Sequence, residues 1–110
     1  MQTLIQVVCT KGKSLRDAIV NDPKLEKDFS FALGKEREPG RSPGWAKIRS
    51  HGDNRQGALN VAWDAKTSIL LCRVVNRGAG KPNLIVGDFV DYLLARHCKR
   101  IEVVTIIPPR

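Results

Sequence analysis

Trp45, Lys47 and Arg49 alternate along the run WAKIRS, with His51 directly behind it. On a strand, period two places an indole ring and two cations on one face. Cations of this kind neutralise phosphates, and an aromatic ring stacks a nucleobase at about 1–3 kcal/mol per base. In the competing reading Trp45 covers a core edge and the cations are only solvated. An aromatic content of 5% argues against a platform of several rings.

A second group lies in NRGAGKPN, residues 76–83, where Arg77 and Lys81 flank glycines ahead of an expected helix start. Free backbone N–H groups and the positive end of a helix dipole suit a phosphate there. The spacing is not that of a P-loop, and no Ser or Thr follows Lys81. A plain connector is the alternative. The loop 34–44 adds Lys35, Arg37 and Arg41 but also Glu36 and Glu38. It reads as a solvated connection or as an arm that orders on a partner.

His51 and His97 are the only histidines. His51 shares its loop with Arg55 and is the candidate general acid or base, since an imidazole titrates near neutrality. His97-Cys98 is one short pair with no second, so no zinc site is expected. His97 instead suits a helix C-terminus. Asp88 and Asp91 sit three apart, but a place early in a helix accounts for both. Asp64 belongs to a turn. No nucleophile–histidine–acid set can be assembled, and no cofactor motif is present.

These side chains are carried by a chain of 110 residues, long enough for one domain, 1–110. Net charge is +8, and residues 34–81 hold ten Lys/Arg against four Asp/Glu. Leu4–Cys9 reads as a strand, and Ser14 as the N-cap of a short helix with Leu15 and Ile19 inward. Asp22-Pro23 opens a second helical piece, expected to run to about Leu33, with Gly34 ending it. Trp45–Ser50 follows as a strand, and Ala58–Asp64 with Ser68–Asn76 as a hairpin turning at 64–67. Residues 84–98 show a helical stripe of Val86, Phe89, Val90, Leu93 and Leu94, with Asn83 as N-cap. Arg100–Ile107 closes the chain as a strand. The order β-α-(α)-β-β-β-α-β implies an α+β fold, a mainly antiparallel sheet of about five strands carrying two or three helices.

The apolar runs fall short of a membrane span, and no basic amphipathic helix or signal peptide is expected. Cys9, Cys72 and Cys98 form no CxxC, and the first two read as buried thiols, which suits a reducing cytoplasm.

The order helix, three strands, helix, strand resembles the core of restriction-type nucleases. That resemblance implies an acid near the second strand and an acid-x-Lys on the third. Asp64 stands near the first position, but Ser68–Asn76 contains no acid, which argues against metal-dependent cleavage. The order also resembles small basic ribonuclease toxins that cut messenger RNA without metal. In that frame Arg49, His51, Arg73 and Arg77 are the implied catalytic positions, while the helix and strand after residue 83 depart from it. Topology alone licenses no activity.

The leading expectation is a small basic binding module, without a signature for enzymatic activity, that contacts nucleic acid, DNA or RNA. Trp45, Lys47, Arg49, Arg55, Arg73, Arg77 and Lys81 would form its surface, with no metal and no cofactor. The alternatives are self-association through apolar edge strands and a metal-independent ribonuclease.

Overall fold

Period-two burial organises the strands. The computed structural model describes residues 2–109. Ile5, Val7 and Cys9 of β1 (Leu4–Cys9) are buried, and the residues between them are half-buried. Ser14 caps α1 (Leu15–Val20) through its Oγ, which accepts from the Asp17 N–H at 3.2 Å. Asp22 Oδ1 accepts from the Lys24 N–H at the start of α2 (Lys24–Lys27).

That second helix is shorter than the sequence pattern suggests. Asp28, Phe29 and Ser30 turn the chain, and Phe31–Lys35 forms a strand, β2. Asp and Ser hydrogen-bond competitively with helix backbone, so the local helical signal is weak there. Pairing with β3 (Trp45–Ser50) satisfies the backbone instead, with Phe31 opposite Ser50 and Leu33 opposite Ile48. The sheet therefore has six strands, where about five were expected.

β4 (Gly57–Asp64) and β5 (Ile69–Asn76) form the expected hairpin. Asp64 Oδ1 accepts from the Lys66 N–H within its turn. α3 spans Pro82–His97, with Lys81 rather than Asn83 at the N-cap position and Pro82 at the first helical position. A 3-10 turn, Cys98–Arg100, leads into β6 (Ile101–Ile107).

The sheet order is β2-β3-β4-β5-β1-β6, antiparallel throughout. The two terminal strands pair with each other, and β2 and β6 are its edges. Register aligns Ile48, Leu59 and Val74 in one row, and Ala46, Val61, Cys72 and Ile5 in the next. These rows share a core with Leu15, Ile19, Leu25, Ile85, Phe89, Tyr92 and Leu93. All three helices thus cover one face of the sheet. Phe31 packs edge-on against Phe89 and Tyr92. No described helix is long and apolar enough to cross a membrane.

The uncovered face takes the alternate residues. Lys47, Asn60, Arg73 and Leu4 form one row across it, and Ala32, Arg49, Ala58 and Val75 another. Cys9 and Cys72 are buried and Cys98 is exposed, all three as free thiols. Burial raises the Cys72 thiol far above its ordinary value.

Candidate functional site

At one end of the open face, β3, the β3–β4 loop and the β5–α3 loop enclose a cleft of about 580 Å³. Lys47, Arg49, His51 and Arg77 line it, with Asp53 as its single carboxylate. Alternation sends Lys47 and Arg49 outward from β3, as the WAKIRS pattern implies. Arg49 stands between Ala32 and Ala58, whose small side chains leave the recess open. Its stem leans over Gly34, where a Cβ would lie 3.1 Å from Arg49 Cγ. Lys47, Arg49, Arg73 and Arg77 make no ion pair with any described residue.

The two loops are joined by main-chain bonds. Arg77 N–H donates to Gln56 O at 2.9 Å, Lys81 N–H to Asn54 O at 2.7 Å, and Gly80 N–H to Arg77 O at 2.7 Å. Asn76 Nδ2 donates to Gly80 O. These N–H groups are therefore spent inside the fold, and the expected backbone cradle for a phosphate is largely closed. The loop contributes the Arg77 side chain instead. The main-chain N–H of His51 donates to Ser30 O at 3.1 Å.

Arg55 does not join the cleft. Its Nε donates to Asp88 Oδ2 at 2.6 Å and its Nη1 to Asp53 O at 3.1 Å. This pair ties the β3–β4 loop to α3. Asp88, weighed in sequence as half of a carboxylate pair, is the partner. Lys81 is exposed on the β5–α3 loop, outside the cleft lining.

Arg73 and Trp45 lie along the open face, where they border a smaller depression of about 150 Å³ with Asn60, Leu71 and Arg41. Trp45 is only 5% exposed. The Arg41 guanidinium sits 5.1 Å from its ring centre, so this indole face is already occupied. Glu38 pairs with both Arg41 and Lys35, which pins the loop 36–44 over the ring. Arg16, buried in α1, adds Nε to Trp45 O at 3.1 Å and Nη2 to Glu36 O. The loop is thus folded onto the sheet. Trp45 Nε1 is buried without a hydrogen-bond partner among the described residues.

The residue set read from sequence is therefore divided. Lys47, Arg49, His51 and Arg77 share the cleft, Trp45 and Arg73 share the neighbouring depression, Arg55 is structural, and Lys81 stands apart. Gln56 and Asn60 line the two recesses and were not singled out. The outward pattern Ala58-x-Asn60-x-Ala62 on β4 is the signal that marks Asn60.

A separate buried network holds the helices. Arg96 forks onto Asp22 with both bonds at 3.1 Å, and Tyr92 OH donates to Asp22 Oδ2 at 2.9 Å. Burial alone would raise the Asp22 carboxyl; Arg96, Tyr92 and the Lys24 N–H outweigh it and hold it below its ordinary value. His97 Nε2 meets Tyr92 OH at 2.9 Å and is depressed by burial against the upward pull of Asp22.

Comparison with protein-family models, with curated proteins and with solved structures gives no match to this chain.

Proposed function

We propose that this protein is a nucleic-acid-binding module whose cleft engages the phosphate backbone. One observation carries the reading: three cations free of ion pairs among the described residues, Lys47 and Arg49 from β3 and Arg77 from the β5–α3 loop, meet at a recess lined by one described carboxylate. Cations that serve folding are engaged, as Arg16, Arg55 and Arg96 are. Unengaged ones in a concave setting raise the local concentration of an anionic ligand. The three free thiols suit a reducing compartment such as the cytoplasm.

The test is fluorescence anisotropy with a labelled oligonucleotide over a salt series. Each phosphate contact adds roughly −0.7 to −0.9 to the slope of log affinity against log salt. Alanine at Lys47, Arg49 or Arg77 is expected to weaken binding and to flatten the slope by about one contact's worth. An affinity indifferent to salt refutes the proposal.

A second reading, metal-free RNA cleavage, is favoured by the presence of His51 in the same recess. His51 would take the proton of the ribose 2′-hydroxyl as its oxygen attacks phosphorus. The imidazolium would then return a proton to the departing 5′-oxygen, while Arg49 and Arg77 hold the phosphoryl oxygens. RNA that stays intact with purified protein in chelator removes this reading and leaves the binding one standing.

A further inference from the structure

Resting on the binding reading, we infer that the ligand is a single strand, seated with one unpaired nucleotide in the cleft and continuing across the open face of the sheet. Readout of a duplex through its major groove, about 12 Å wide, takes a helix or ribbon that projects into it. The three helices of this protein lie on the opposite face, and the free cations line a recess. A volume of about 580 Å³ matches a small-ligand site rather than a convex docking surface. An unpaired nucleotide can be splayed into such a recess, whereas a stacked base pair cannot.

The route out of the cleft is drawn by the register. Lys47 lines the cleft, Asn60 is its neighbour on β4, and Arg73 is the next on β5. With strands about 4.8 Å apart, Lys47 and Arg73 stand about 10 Å apart at their backbones. Asn60 carries both a donor and an acceptor, as recognition of a base edge requires. Leu71, 43% exposed beside Asn60 in the depression, offers apolar contact to a base. A row alternating cation, amide and cation beside an apolar surface fits a strand whose phosphates and bases are both accessible.

The experiment compares a labelled strand of about 16 nucleotides with the same strand annealed to its complement, at one salt concentration, in RNA and in DNA. The single strand is expected to bind about tenfold or more tightly than the duplex; the RNA and DNA arms report whether the sugar matters. Asn60→Ala and Leu71→Ala each are expected to weaken single-strand binding severalfold with an unchanged salt slope, because neither removes charge. Arg73→Ala is expected to lower that slope. Duplex bound as tightly as the single strand overturns the inference and leaves the binding reading intact, as does indifference to both neutral substitutions. Failure to bind either form overturns both.

Discussion

Arg49 and Arg55 lie six positions apart and do opposite work. Arg49 projects from β3 into the cleft with no ion-pair partner among the described residues, whereas Arg55 is bound to Asp88 and to the Asp53 carbonyl. Their substitutions should separate accordingly. Arg55→Ala is expected to lower unfolding free energy by about 1 kcal/mol, since a short, partly shielded pair lies at the upper end for surface ion pairs. The salt slope of oligonucleotide binding should stay as it was. Arg49→Ala should do the reverse, with urea midpoints unchanged and binding weakened. A variant pair that fails to divide between the two assays would show that the free-versus-engaged distinction has no functional content. Sequence alone could place both arginines near loops. It could not pair Arg55 with Asp88, because that contact spans 33 residues and depends on how α3 lies on the sheet.

At the scale of elements, the cleft exists because two loops are held in register. The glycine-bearing segment 76–83 was legible as special, and the structure adds a packing role for it. Gly80 permits a close backbone approach, and the N–H groups of Arg77, Gly80 and Lys81 are taken up inside the fold. Gly80 is packed against the Gln56 carbonyl so closely that any Cβ would overlap that oxygen. Gly80→Ala should therefore part the loops, displace Arg77 and destabilise the fold by about 1–3 kcal/mol, the usual cost of overpacking. Gly78→Ala is the matched control for crowding, since nothing lies within 4 Å of its Cβ position. Its φ of +51° adds a backbone penalty of its own, so the informative quantity is Arg77-dependent salt slope, which only Gly80→Ala should reduce. Equal slopes in the two variants would disprove the role given to the loop junction. The strand alternation and the α3 stripe were readable because periodicity survives in sequence. β2 was not, because the Phe31–Lys35 segment becomes a strand through its pairing with β3, a tertiary effect that local propensity does not encode.

Across the whole molecule, the helix side and the open side differ in how charge is treated. On the helix side, the Asp22 cluster spans from α2 to the end of α3 and makes global stability depend on pH in two windows. Facing His97 are Tyr92, Asp22, Arg96 and Arg100. Its folded pKa lies below the ordinary 6.5, so the unfolded chain takes up a proton first as pH falls. Protons then favour the unfolded state, and stability declines from about pH 6.5 down to the folded value. Asp22 is likewise depressed below 3.8. The unfolded carboxyl again protonates first, so the stability supplied by its Arg96 and Tyr92 bonds is complete above that pH and lost below it. Urea titrations across pH should reveal both declines. His97→Gln should abolish the upper one and spare the lower, while Asp22→Asn should erase the lower one and reduce stability at neutral pH. A wild-type profile level from neutrality to about pH 5 would mean that the His97 ring is as accessible to protons folded as unfolded, contrary to its burial against Tyr92.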